Sequence, residues 1–381
     1  MRSRGRINQN AGIISCAASL VAIAAGFLFG LVLLYMFNPP YAFSGFISIL
    51  TTGLLNTEKI GKVLYQSAPL LMTGLAVSFA FKTGLFNIGA TGQYTIGALF
   101  SLTAAIRFQL PWWASLLLAM VGGAVWGAIP GLFKAYFNVN EVITSIMFNW
   151  IGLYAVNLII TNMPIMLANA WVTGGTRDRT AMLKHANPAA LIPKLGLDEL
   201  LGTNYVNIGI FVAILLAIIT WAVLQKTTFG YELKACGYNR SAGEYAGINA
   251  RRNIVFSMMI AGALAGAGGG IYYLSGTAQY TLVKNLLPMG FNGIPVALLA
   301  NSHPLGTIFS ALFISIVQVG GDALQPAFAR EIIDIIIAAI IYLSAFSLLM
   351  RNVLVKLVSG RNKRGARGTG IHEEPAEEAN A

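Results

Sequence analysis

The apolar runs of this chain leave few folds open to it. Stretches 11–37, 63–82, 85–106, 113–134, 142–162, 207–225, 253–274, 286–301, 305–321 and 331–350 carry almost no charge. Most approach the roughly 20 residues that a helix needs to cross the hydrocarbon core of a bilayer. Charged residues make up 10% of the chain, against about a quarter in a soluble domain. That balance disfavours the rival, a large soluble protein with buried helices. The expected fold is an all-α integral membrane protein of about ten transmembrane helices.

Orientation follows from the basic residues. The first run begins after Arg2, Arg4 and Arg6, as a signal peptide would. It is too long for one, and no small-residue cleavage site precedes Asn38-Pro39-Pro40. It reads as an uncleaved span with its basic end inside. An even span count puts both termini on one side, together with 16 of the 25 Lys and Arg. Four of the other nine lie in the long 163–206 loop, where charge has little force on orientation. The bias places both termini and the central 225–252 loop in the cytoplasm, with the chain in the cell (inner) membrane. The net charge of +11 sits in loops and tails, so nucleic-acid binding is not indicated. Residues 1–358 read as one transmembrane domain. Residues 359–381 read as a cytoplasmic tail, polar enough to stay disordered.

The segment Gln225–Asn253 is the polar interruption in the middle of the chain. It carries Lys226, Lys234, Arg240, Arg251 and Arg252 against Glu232 and Glu244, so it lies in water. Its second part, Asn239 to Ile248, reads as a short helix with Ala242, Gly243, Ala246 and Gly247 on much of its surface. Small residues let another body approach closely, which suits a docking element for a cytoplasmic partner.

The run GYNRSAGEYAGIN within that segment resembles the coupling loop of permease subunits of ATP-binding-cassette (ABC) importers. Three further stretches, GLFNIGATGQYTIGALF (84–100), NVNEVITSIMFNWIGLY (138–154) and GFNGIPVALLANSHPLG (290–306), are similar to the branch that handles simple sugars and nucleosides. That branch is related to the ribose and branched-chain amino-acid permeases. The similarity covers roughly 60–350, and its strength is that four moderately specific stretches occur in one order. It implies a transport subunit, not an enzyme, around which a complex assembles. The implied partners are two ATPase subunits under the 225–252 loops and a second permease, as homodimer or heterodimer. An extracytoplasmic substrate-binding protein would deliver a small neutral solute. On this resemblance Gly237, Asn239, Ala242, Glu244 and Gly247 are expected to couple to the ATPase. No cofactor or metal is expected.

An internal repeat accompanies these motifs. Phe86-Asn87-Ile88 matches Phe291-Asn292-Gly293-Ile294, and Glu141-Val142-Ile143 matches Glu331-Ile332-Ile333. Within ten spans the two copies would face opposite sides, giving two inverted five-helix halves, a transporter device. Chance is the alternative for so short a match.

Glycines and amides at membrane depth mark a candidate path. Phe86, Asn87 and Gln93 lie where glycines suggest a broken helix, tolerated only beside protein or water, and Asn292 stands in the matching copy of the motif. Asn87, Gln93 and Asn149 donate and accept hydrogen bonds, which suits a neutral, hydroxyl-rich or nucleobase solute. Phe86 and Trp150 offer flat faces for stacking or gating. The other reading is that the amides pin helices together. Permeases of the family commonly have an acidic residue where Thr91 stands, so no charged role carries over to that position.

Glu141 and Glu331 open apolar helices, where the helix dipole stabilises an anion. Asp334 follows Glu331 by one turn, and a proton relay between them stays open. The 163–206 loop, with Pro164, Gly174-Gly175, Pro188, Pro193 and Gly196, reads either as a contact for the binding protein or as a plain connection. Gly262, Gly266 and Gly270 form small-xxx-small patterns for close helix packing. They are not a dinucleotide loop, since no strand precedes them. The chain has no G-x-x-x-x-G-K-[ST] and no histidine or cysteine at ligand spacing. Branched-chain amino-acid import and ion-coupled secondary transport remain the rival functions.

Overall fold

The computed structural model describes residues 21 and 23–345, except 326. The basic N-terminus, the 359–381 tail and the end of the last expected span lie outside the described residues. Helices account for nearly all the regular structure: α1 (Ile23–Phe37), α2 (Pro39–Thr51), α3 (Thr57–Lys82), α4 (Ala90–Ile106), α5 (Trp112–Phe137), α6 (Glu141–Thr161), α7 (Leu183–Ala186), α8 (Leu197–Leu201), α9 (Gly209–Lys226), α10 (Thr228–Tyr238), α11 (Arg240–Tyr245), α12 (Ala250–Leu274), α13 (Pro288–Phe291), α14 (Gly293–Leu299), α15 (Gly306–Asp322) and α16 (Arg330–Ala345). Two isolated bridges, Leu167 with Thr180 and Arg179 with Thr281, are the only extended pairings among the described residues.

Among the described residues five helices, α3, α5, α6, α9 and α12, are long and apolar enough to cross a membrane. Their starts follow local rules. Asn56 caps α3, Asn140 caps α6 and Asn249 caps α12, each side-chain oxygen accepting a backbone N–H of the first turn. Asn138 ends α5 in the left-handed conformation, which an Asn tolerates.

Two expected spans differ from the structure. The 85–106 run becomes helical only at Ala90, because Phe86–Gly89 leaves the helical path. The 286–301 run is divided into α13 and α14 at Asn292. Pro295, in the first turn of α14, has no N–H to return to the preceding turn. Helix α2, starting with two prolines, was not expected; proline is well tolerated at a helix start.

Helices α3 and α12 form the centre, with 83% and 72% of their spanning windows buried against 33–39% for α5, α6 and α9. Glycine explains how α12 fits there. Gly262 and Gly266 meet Gly123 of α5 backbone to backbone, Gly266 also meets Gly97 of α4, and Gly269 meets the Tyr94 carbonyl. None of these positions has room for a Cβ. The close packing expected from the small-xxx-small pattern is present.

The 163–206 loop contains no span. It folds as short turns and helices over the C-terminal end of α4, burying Leu167, Ala181, Leu183 and Ile192. The buried Asn187 donates from its side-chain amide to the Ala105 carbonyl at 2.9 Å and the Leu110 carbonyl at 3.0 Å. The 276–287 segment joins it, through Leu282 N–H to the Asp178 carbonyl at 2.7 Å.

Candidate functional site

The break between α3 and α4 is held by amides. Asn87 and Gln93 exchange two hydrogen bonds, of 2.8 and 3.1 Å, and both are fully buried. Asn149 of α6 accepts from the Gly92 N–H at 2.8 Å and donates to the Ile88 carbonyl at 3.1 Å. Four backbone and side-chain groups exposed by the irregular segment are satisfied in this way, as buried polar groups require. The hydroxyls of Thr91 and Ser145 lie in the same region, buried and without a hydrogen-bond partner among the described residues. Three of the expected path residues, Asn87, Gln93 and Asn149, are thus brought together. Phe86 stacks on Phe81, centroids 5.1 Å apart. Trp150 is turned away, 40% exposed and stacked on Tyr154 along the outer face of α6.

The second break packs directly on the first. Gly290 of α13 sits against the backbone of Thr91 with no space for a side chain. Gly293 lies as closely on Thr73 of α3, whose hydroxyl donates to the Met289 carbonyl at 3.2 Å. The two Phe-Asn motifs therefore stand on adjoining elements.

Behind α13 lies a cavity of about 520 Å³ between α3, α13–α14, α15 and α16. Its polar lining is Gln66, Asn292, Gln318, Asp322, Asp334 and Tyr342, set among Met289, Pro295, Ile337 and Ala338. The Gln66 side-chain oxygen is buried with no partner among the described residues. Lys62 pairs with Asp322 at 3.0 Å at the edge of this space. A cavity of this size accommodates a small solute, and its amides and carboxylates accept hydrogen bonds from hydroxyl or ring N–H groups. Of the expected path residues only Asn292 lines it. Gln66, Gln318 and Tyr342 were missed. The available signal was spacing: Gln318 with Asp322, and Asp334 with Ala338 and Tyr342, each share a helical face.

Glu141 stands in the first turn of α6, as expected for a dipole-stabilised anion, and pairs with Lys134 at 2.9 Å. Glu331 and Asp334 are both exposed in the first turns of α16.

The 225–252 segment folds into two helices at the end of α4 opposite the 163–206 loop. Thr227 caps α10 and Asn239 caps α11, accepting from Ala242 N–H at 3.0 Å. The helix expected over Asn239–Ile248 is shorter than foreseen, ending at Tyr245 before Gly247 takes φ +82°. Asn239, Ala242, Glu244 and Gly247 face outward, and Glu244 pairs with Arg240 at 3.1 Å. Gly237 instead faces inward, onto Thr83 and Gly84. Tyr231, Tyr238 and Tyr245 are 69%, 91% and 94% exposed. Large aromatics left in the open on a polar segment suit a protein interface. Nearby, burial and then the Lys82 ammonium push the His303 imidazole below its ordinary pKa, which keeps it neutral at pH 7.

Comparison with known proteins agrees with this architecture. Residues 59–345 match the family described as branched-chain amino acid transport system / permease component. The guanosine ABC transporter permease protein NupP of Bacillus subtilis is 36% identical over 93% of this chain and 97% of its own. The nucleoside ABC transporter permease protein NupB of Lactococcus lactis is 35% identical over 88% and 92%. The glucose ABC transporter permease protein TsgB13 of Haloferax volcanii is 32% identical over 78% and 77%. No solved structure matches. With several membrane-length helices, a match over most of its length and relatives that are transport components, the chain belongs to this family of membrane permeases.

Proposed function

We propose that the chain is the permease subunit of an ATP-driven importer, and that its solute is a nucleoside or simple sugar. The observation that carries the reading is the near full-length similarity to permeases named for guanosine, nucleosides and glucose. The cavity beside Asn292 supports a neutral solute. Its lining includes amides and carboxylates, and the neighbouring Lys62 is occupied by Asp322. A zwitterionic amino acid would want a cation for its carboxylate. The path runs from the cavity, which Asn292 lines, past the paired breaks; Asn87, Gln93 and Asn149, whose amides bond to each other and to backbone here, would meet a solute when the break rearranges, with Phe86 supplying a stacking face.

Ten spans in two inverted halves, with both termini cytoplasmic, are the proposed topology. Two features support it: the adjoining Phe-Asn breaks, and acidic residues in the first turns of both α6 and α16. Two ATPase subunits dock on α10–α11 from the cytoplasm, a second permease completes the path, and a binding protein delivers solute from outside. Closure of the ATPase pair moves the docking helices and tilts the halves, so that the path opens on alternate sides.

The test is purification of the tagged chain from its own membrane with its companions, followed by reconstitution. ATP-dependent uptake of guanosine or glucose is expected. Uptake of leucine alone would establish the amino-acid rival. Uptake driven by a proton or sodium gradient without ATP would establish an ion-coupled transporter.

A further inference from the structure

The inward-facing Gly237 has a role that docking does not explain. A Cβ on Gly237 would lie 2.7 Å from the Thr83 carbonyl carbon and 2.8 Å from the Gly84 nitrogen. A Cβ on Gly84 would lie 2.7 Å from the Gly237 Cα, and Gly84 also has φ +74°. Two glycines on elements distant in sequence thus touch through bare backbone. One belongs to the last turn of α10, and the other opens the irregular segment that leads to Asn87.

Contacts continue from this seam in both directions. Toward the docking surface, a Cβ on Gly243 of α11 would lie 3.4 Å from the Cys236 sulfur of α10, so the two short helices bear on each other one residue from the seam. At its other end α10 is fixed to α9, with Gly230 pressed on the Val223–Leu224 backbone. Toward the path, Gly84 leads to the Asn87–Gln93 amide pair. Thr91 beside it bears on Gly290 of α13, next to the Met289 and Asn292 that line the cavity.

We propose that the Gly84–Gly237 contact is the joint through which movement of the docking helices reaches the break in front of α4. Gly84 and Gly237 are positioning residues of transport. They touch neither solute nor ATPase, and they act by letting α10 seat on the Thr83–Gly84 backbone with no compressible side chain between. This rests on the importer reading given above. Such a joint transmits displacement because close-packed backbone does not deform continuously.

The experiment uses the complete complex in liposomes, with guanosine uptake and ATP hydrolysis measured on the same sample. Gly237→Ala adds a methyl without a positive-φ penalty. The expected result is a fall in solute moved per ATP of about 5- to 150-fold, the usual span of a coupling energy, with ATPase co-purification and hydrolysis retained. An unchanged ratio overturns the proposal, and so does loss of the ATPase from the complex. Should Gly237→Ala fail to reach the membrane, a second variant tests the same joint. Lys82 lies two residues before Gly84 and Lys234 three residues before Gly237, so the two flank the seam. Lys82→Cys with Lys234→Cys, in a Cys16→Ser and Cys236→Ser background, is bridged by a reducible bifunctional thiol reagent. Bridging is expected to leave the solute moved per ATP unchanged, since the two sides of a rigid joint travel together; loss of uptake on bridging, reversed on reduction, means that they separate during transport and overturns the joint. The wild-type rate tests the importer reading and the variant-to-wild-type ratio tests the joint, so the two fail separately.

Discussion

The two polar segments at opposite ends of α4 are built differently. The 163–206 loop is tied down: Asn187 donates to two carbonyls of the bundle, and Leu167, Leu183 and Ile192 form a small apolar interior of its own. The 225–252 segment is tied mainly through α10, where Leu233 is buried, Phe229 meets Phe256 edge-on and Glu232 accepts from the Asn253 side chain at 3.2 Å. Beyond it, α11 is mostly exposed, and the segment leaves three tyrosines in the open. Buried hydrogen bonds and apolar contacts make a part of a protein rigid; exposed aromatics and a small footprint make a part that is available to a partner. The first segment is a fixed cap and the second is an arm.

That contrast can be broken or sharpened by mutation. The largest effect is expected at the arm. Replacing Ala242 and Ala246 together with Arg should leave the chain in the membrane and reduce ATP-dependent uptake to background; normal uptake would mean that α11 is not gripped. Tyr245→Ala should weaken ATPase co-purification by roughly 30-fold, the scale of an interface hot spot of about 2 kcal/mol. Binding at wild-type strength would remove Tyr245 from the interface. At the cap, Asn187→Ala should cost about 1–3 kcal/mol of stability, by leaving two buried carbonyls unpaired. Thermal unfolding in detergent measures this, and uptake per folded molecule should not change. A transport defect without a stability defect would make the cap a working part and dissolve the distinction. Between the two regions, Gln93→Ala should alter solute preference without affecting ATPase binding, and identical transport would confine Gln93 to holding the break. The smallest effect belongs to Lys194→Ala, which removes a surface pair with Asp198 at 3.4 Å and should change stability by no more than about 0.5 kcal/mol.

Much of this was legible in the sequence, for a physical reason. Bilayer-length apolar runs announce themselves, so α3, α5, α6, α9 and α12 were placed to within a few residues. Of the small residues expected on the surface of α11, Ala242 is exposed, but Gly243 is buried against Cys236. What stayed hidden depends on contacts between distant residues. Gln66, Gln318 and Tyr342 are single polar residues in apolar runs, and only the folded arrangement brings them to one cavity. Asn87 and Gln93 were picked for their chemistry, but their reciprocal bonding could not be read from spacing. Gly237 was grouped with its outward neighbours because sequence does not tell which side of a short helix is covered.

The backbone contacts of α12 carry a last consequence. Where Gly262, Gly266 and Gly269 let whole helices touch α4 and α5, neither sliding nor rolling is available without separating main chains. Those helices must travel as one block. The cavity lies beside that block, between α3, α13–α14, α15 and α16, and meets it where Gly290 of α13 rests on Thr91 of α4. A displacement of that block is therefore expected to reach the passage through α13.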